Sequence, residues 1–260
     1  MLLSIALILL VGMSASWICK KIKLPGLLGM LATGIVLGPY VLNLIDSSIL
    51  NISSELRKIA LIIILTRAGL GLDITGLKKI GRPAILMCFL PASFELLGII
   101  LIAPGALGMS ALIAIMFVGV GLHKKRDVVA KRLSQKYEKL WIASEVFLFV
   151  LVGATVNINY LGNMGIKALI VIFGALIFRM AGVFVCLIKT ELNKKERLFT
   201  MMAYTPKATV QAAIGGIPLA LNFACGETVL TIVVLAIVIT APLGAFAMDL
   251  SYKKLLRRNE

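Results

Sequence analysis

The stretch AYTPKATVQAAIGGIPLA, Ala203 to Ala220, decides how this chain is read. It lies inside an otherwise apolar run, Leu198 to Phe223, yet carries a proline, a lysine and a glutamine in its middle. Pro206 lacks a backbone donor and disfavours the α conformation at Thr205, so a helix breaks there. Gly215, Gly216 and Pro218 loosen the second half. A broken helix at membrane depth is tolerated where it is buried in protein or lines a cavity. Transporters use such breaks at the midplane, where freed carbonyls and half-helix ends meet ions. Lys207 sets a positive charge against the carbonyl end of the first half-helix. Thr205, Thr209 and Gln211 add polar groups to the same segment.

The rest of the chain supplies the membrane. Its 260 residues are 60% hydrophobic with a mean hydropathy of +1.03, where a soluble domain is closer to half apolar. A hydrocarbon core about 30 Å thick takes roughly 20 apolar residues in a helix. Runs of that size recur throughout, continuous rather than alternating, which predicts an all-α polytopic membrane protein and not a barrel. Nine spans are expected: 2–19, 24–44, 53–72, 82–103, 109–122, 140–156, 165–188, 198–223 and 227–248.

The net charge of +15 falls in short clusters between these runs. A nucleic-acid binder would gather it on one soluble face, so no nucleic-acid partner is expected. Alternate loops hold 21 of the 27 lysines and arginines, and the opposite loops hold only Arg57, Lys58 and Lys167. The positive-inside rule then places the N-terminus out and the C-terminus in. The basic stretch His123 to Lys139 reads as a cytoplasmic connector in contact with lipid headgroups. The first run has its basic residues after it rather than before, the order of a retained helix and not of a leader. Cys19, Cys88, Cys186 and Cys225 share no metal-ligand spacing and read as free thiols.

Three basic residues remain inside the spans: Arg67, Arg179 and Lys207. Glu95 and Glu145 also lie within spans, and Asp73 just past the end of one. A charge at mid-span costs roughly 2.5–3.5 kcal/mol on insertion scales, so each needs a partner or a watery cavity. Glu95 and Arg179 are both near mid-span on different helices, and an interhelical ion pair is expected between them. Glu95 is then the candidate proton-responsive group. Arg67, near the inner end of its span, reaches the interface by snorkelling. Glu145 is expected in an interfacial or interhelical contact.

These residues carry a resemblance. AYTPKATVQAAIGGIPLAL, TELNKKERLF, EVFLFVLVGATVNI, LTRAGLGLD and KLPGLLGMLATGIVLGPYV resemble the sodium/proton antiporter branch of the monovalent cation/proton antiporter superfamily, over about Leu24 to Leu255. The resemblance implies a homodimer of secondary transporters, not enzymes and without cofactors. Each protomer would have a dimerisation bundle and a core in which two broken helices cross. It implies Na⁺ or Li⁺ exchange for H⁺, driven by the proton gradient across a bacterial-type inner or plasma membrane. Lys207 matches the lysine of the second broken helix, Arg179 the basic residue of the neighbouring core helix, and Glu95 an acid that pairs with it. It also implies a division at 1–107 (dimerisation helices plus the first core helix) and 108–260 (the bundle with the broken helix).

One departure matters. The antiporters bind their cation at an aspartate pair, or an asparagine–aspartate pair, on a core helix, and none of the twelve acids here is adjacent to another. The sequence runs from ASFELLGIILIAPGALG straight into MSALIAIMFVGVGLHKK. The resemblance places about four further spans at this junction, holding the first broken helix and the aspartate helix. An incomplete inverted-repeat fold is therefore expected. The second reading is a non-transporting, internally deleted derivative or membrane scaffold.

Overall fold

The structure is a computed structural model describing residues 1–70, 81–102, 127–207, 209–220 and 223–256. All regular structure among these residues is helical: α1 Leu2–Lys21, α2 Gly26–Leu37, α3 Ser47–Asn51, α4 Ser53–Leu70, α5 Arg82–Ile102, α6 Asp127–Ala154, α7 Ile158–Leu187, α8 Lys194–Ala203, α9 Thr209–Gly215, α10 Ile217–Ala220 and α11 Gly226–Leu255. Among the described residues three helices are long and apolar enough to cross a membrane: Leu2–Lys21, Gly165–Leu187 and Gly226–Leu255. The expected span at 109–122 lies outside the described residues, as do His123 and Asp73.

Several boundaries differ from the sequence reading, each for a local reason. The expected span 24–44 is helical only to Leu37, because Pro39 pushes Gly38 into extended backbone (ψ 174°). The basic connector is helical from Asp127 onward, continuous with the apolar run that follows it. Lysine, arginine and glutamate are good helix formers, so charge ends an apolar run without ending a helix. α7 starts at Ile158, ahead of the expected 165, so Lys167, counted with the loop charges, lies well inside it.

The chain forms two compact units. The first comprises Met1–Leu72, Met109–Asn163 and Ala208–Ile237. Its centre is α6, against which α1, α2, α4 and α9 pack. Val146, Leu148, Phe149, Val150, Leu151 and Val152 of α6 are fully buried, so the C-terminal part of this helix is apolar on every side it turns. Glycines bring the backbones together. A Cβ on Gly34 would collide with the Val150 carbonyl oxygen, and one on Gly153 with that of Leu31. Close approach through small residues is how helices gain contact in lipid, where apolar burial offers no contrast. In keeping with that, α1 buries Ser4, Ile8, Gly12 and Ser16 and exposes Leu2, Leu3, Leu10 and Trp17.

Arg57 is a correction. Counted with the loop charges at the start of the expected span 53–72, it lies inside α4 and is 5% exposed. Its Nε donates to the Ser53 carbonyl (3.3 Å) and its Nη1 to Thr155 Oγ1 (3.5 Å). The guanidinium lies against Gly216, between α9 and α10.

The second unit comprises Asp73–Gly108, Met164–Lys207 and Val238–Glu260. It contains α5, most of α7, α8 and the C-terminal part of α11. Here α5 and α7 run antiparallel. A Cβ on Gly98 would stand 2.7 Å from the Phe178 ring, and one on Gly182 2.9 Å from Pro91 Cα.

Candidate functional site

Those two glycine contacts bracket the site. Glu95 lies between Pro91 and Gly98 on α5, and Arg179 lies between Phe178 and Gly182 on α7. Close packing on both sides, against the Phe178 ring and the Pro91 backbone, brackets the two side chains. Arg179 Nη1 donates to Glu95 Oε2 at 2.7 Å. Lys207 Nζ donates to the other oxygen, Oε1. The carboxylate and the lysine are both buried, at 7% and 6% exposure.

The lysine arrives there because a helix stops. A capping box starts α8: Asn193 accepts from the Glu196 amide, and the Glu196 carboxylate accepts from the Asn193 amide. The helix ends at Ala203, with Tyr204 as its C-cap. The ring of Pro206 would meet the carbonyl four residues back in a continued helix, so Thr205 to Lys207 are non-helical. The Lys207 amide finds a side-chain acceptor instead, Thr240 Oγ1 on α11 at 3.1 Å. The sequence reading set Lys207 against helix carbonyls alone; its ammonium is on a carboxylate.

The cluster joins two cations to one anion, so it carries one surplus positive charge. Glu95 can accept from both because a carboxylate has two oxygens and about four lone pairs. The Arg179 guanidinium also lies 6.0 Å from the centroid of the Tyr204 ring, and its buried Nε has no hydrogen-bond partner among the described residues. Thr205 Oγ1 is 4.0 Å from Met180 Sδ.

The other sequence candidates lie elsewhere. Thr209 and Gln211 are on α9, in the other unit. Arg67 and Glu145 take part in one cluster between α4 and α6. Arg67 Nη2 donates to Glu138 Oε1 (3.2 Å) and its guanidinium stacks 4.4 Å from the Trp141 ring. Trp141 Nε1 in turn donates to Glu145 Oε2 (3.2 Å). The sequence reading missed Glu138 and Trp141 here, and Thr240 and Gly244 at the main site. A threonine four residues before a glycine in the apolar run TIVVLAIVITAPLG was the available signal. Among the described residues no group of three or more His, Cys, Asp or Glu side chains could hold a metal ion. Cys19, Cys186 and Cys225 are free thiols.

The family model for the transmembrane part of sodium/hydrogen exchangers matches residues 5–103 and 93–248. These two matches meet just before the junction at Pro104 to Ser110. The chain is 32% identical over 166 residues to sodium/hydrogen exchanger 9B2 of Homo sapiens, covering 60% of this chain and 30% of that protein. It is 32% identical to sodium/hydrogen exchanger 9B1 of Mus musculus, covering 54% of this chain and 29% of that one. The chain thus spans about 30% of the length of these curated relatives. Its fold is similar to that of the sodium proton antiporter MjNhaP1 from Methanocaldococcus jannaschii, with a TM-score of 0.75 at 18% identity, over 97% of this chain and 98% of that chain. A proline-broken segment, a buried carboxylate between two cations, an antiporter-like helical fold and a family match over most of its length have one reading: this multi-pass membrane protein belongs to the sodium/hydrogen exchanger family.

Proposed function

We propose that this chain exchanges Na⁺ or Li⁺ for H⁺ across a bacterial-type inner or plasma membrane, driven by the proton gradient. The observation that carries the reading is the buried Glu95 carboxylate held between Arg179 and Lys207 beside a proline break. A buried charge is costly to maintain, and within membrane segments such charges mark ion pathways. In the proposed cycle a cation competes with Lys207 for Glu95 Oε1. Arg179 stays on Oε2 and keeps the carboxylate oriented. A proton on Glu95 weakens both contacts and frees Lys207. Thr205 supplies a further polar group beside the break. The N-terminus is outside, the C-terminus inside, and the working unit is a homodimer with its dimerisation helices within 1–107.

A second reading is favoured by two specific observations. Both oxygens of Glu95 already accept from cations, and the family match falls into two pieces meeting at 93–103. In this reading the chain is a non-transporting, internally deleted derivative that keeps an antiporter's frame as a membrane scaffold.

A flux assay separates them. Folded protein is reconstituted into vesicles with a preset pH gradient, and Na⁺, Li⁺ or K⁺ is added. Antiport requires dissipation by Na⁺ or Li⁺ that falls at least tenfold in Glu95→Gln and Lys207→Ala. No cation-dependent flux from folded wild-type protein leaves the scaffold reading.

A further inference from the structure

We propose that Thr240 and Gly244, one turn apart on α11, form a clamp that holds the non-helical Thr205–Lys207 segment and so sets the Lys207 ammonium on Glu95. Thr240 is a positioning residue in this scheme, and its role in ion exchange rests on the antiport reading above. The clamp itself rests on the geometry alone.

The need for it follows from the break. In a continuous helix the Lys207 amide would donate to the Ala203 carbonyl, but α8 ends at Ala203. That amide is buried with its residue, and a buried donor left unpaired costs about 1–3 kcal/mol. Thr240 Oγ1 accepts it at 3.1 Å. The threonine is 0% exposed, so no water competes for this contact. A hydroxyl acceptor on a rigid helix fixes where the amide sits, and the lysine side chain starts from that point.

Gly244 sets the second contact. A Cβ built on it would collide with Pro206 Cγ and stand within 3.1 Å of Pro206 N. Any larger residue would lift Pro206 away from α11 and pull Lys207 off Thr240. Residues 240 and 244 share one helix face at the i, i+4 spacing, so hydroxyl and gap are presented together. One fixes the amide of Lys207 and the other receives the ring of Pro206. Consecutive residues held at two points leave little freedom for the backbone between them.

The test uses the full chain in lipid nanodiscs with ¹⁵N-lysine labelling, following hydrogen exchange at the Lys207 amide. Thr240→Val keeps the shape and removes the acceptor; exchange at Lys207 should rise about tenfold. Thr240→Ser restores the hydroxyl and should match wild type, and Gly244→Ala should behave like Thr240→Val. Protection at Lys207 that is the same in Thr240→Val as in wild type overturns the clamp, whether or not the protein transports. If wild-type vesicles show antiport, Thr240→Val should also shift the pH at half-maximal flux, and Thr240→Ser should return it. An unmoved pH profile in a transporting Thr240→Val protein overturns the positioning role. Wild-type protein that shows no flux but loses Lys207 protection in Thr240→Val keeps the clamp and removes the antiport reading.

Discussion

Arg179 donates to Glu95 at 2.7 Å through Nη1, while its buried Nε has no partner among the described residues. The guanidinium is thus placed for one carboxylate oxygen rather than for a two-pronged grip, and the second oxygen is left to Lys207.

This sharing makes Glu95 the member whose loss costs most. Glu95→Leu strands the buried Lys207 beside the half-buried Arg179, and breaking a buried pair costs about 3–5 kcal/mol. Arg179→Leu leaves the Glu95–Lys207 contact and should cost less. Converting Glu95, Arg179 and Lys207 together to apolar residues should recover stability relative to Glu95→Leu. Thermal unfolding of the purified variants checks the order. A Glu95→Leu protein as stable as Arg179→Leu would contradict the shared-carboxylate arrangement.

Backbone contact predicts a second effect. Gly34→Ala and Gly153→Ala place a methyl group against the Val150 and Leu31 carbonyls, which cannot rotate away. Overpacking of this kind typically costs about 1–3 kcal/mol. Gly165, with nothing near its Cβ position, is the control: Gly165→Ala should be neutral or slightly stabilising within its helix. Chemical or thermal denaturation of the three variants distinguishes them, and equal losses at all three sites would refute it.

Outside the spans, stability near α3 should depend on pH. Asp46 caps α3, accepting from the Ser48 amide (2.8 Å) and hydroxyl (2.6 Å). The Ser48 hydroxyl, first among the causes, holds the Asp46 carboxyl well below the usual carboxylate range. A carboxylate lowered in the folded state stabilises above its unfolded value of about 3.9, and that contribution is lost as pH falls through the folded value. Ser48→Ala should bring the carboxyl back up, read by ¹³C NMR titration of Asp46. The stability gap to wild type should be present near neutral pH and close in strong acid. A gap that widens on acidification would reverse the sign and exclude this cause.

The cluster at Arg67 should matter little to stability. Its partner Glu138 is 63% exposed on its side chain, and exposed ion pairs contribute about 0–1 kcal/mol. Glu138→Ala should therefore leave the unfolding temperature nearly unchanged. Trp141→Ala should lower it more, because it removes both the stacked ring and the donor to Glu145. The reverse ranking in a thermal scan would show that charge, not stacking, anchors Arg67.

The helical class and the break at Pro206 were legible because they depend on local features: long apolar runs and one ring without a donor. Glu95, Arg179 and Lys207 stood out because charge is scarce in apolar runs. That Lys207 meets Glu95, 112 positions away, was not legible, since no periodicity encodes which helices are neighbours. Arg57 was misread because charge near the end of a run looks like loop; only packing reveals that Gly216 makes room for its guanidinium. Thr240 was hidden because its role is to complete a backbone that is broken elsewhere.

The first unit is assembled from three separated stretches, the last ending at Ile237. Gly34 and Val150, which touch at backbone level, are more than a hundred residues apart in the chain. Contacts of such long range are slow to form because loop closure must come first. As the chain is synthesised, α1 and α2 leave the ribosome long before α6 exists to cover them. Of the backbone contacts in this unit, the approach of Gly29 to the Ala15 backbone is the one available first. Gly29→Ala should therefore disturb the α1–α2 pair before any contact with α6 can form.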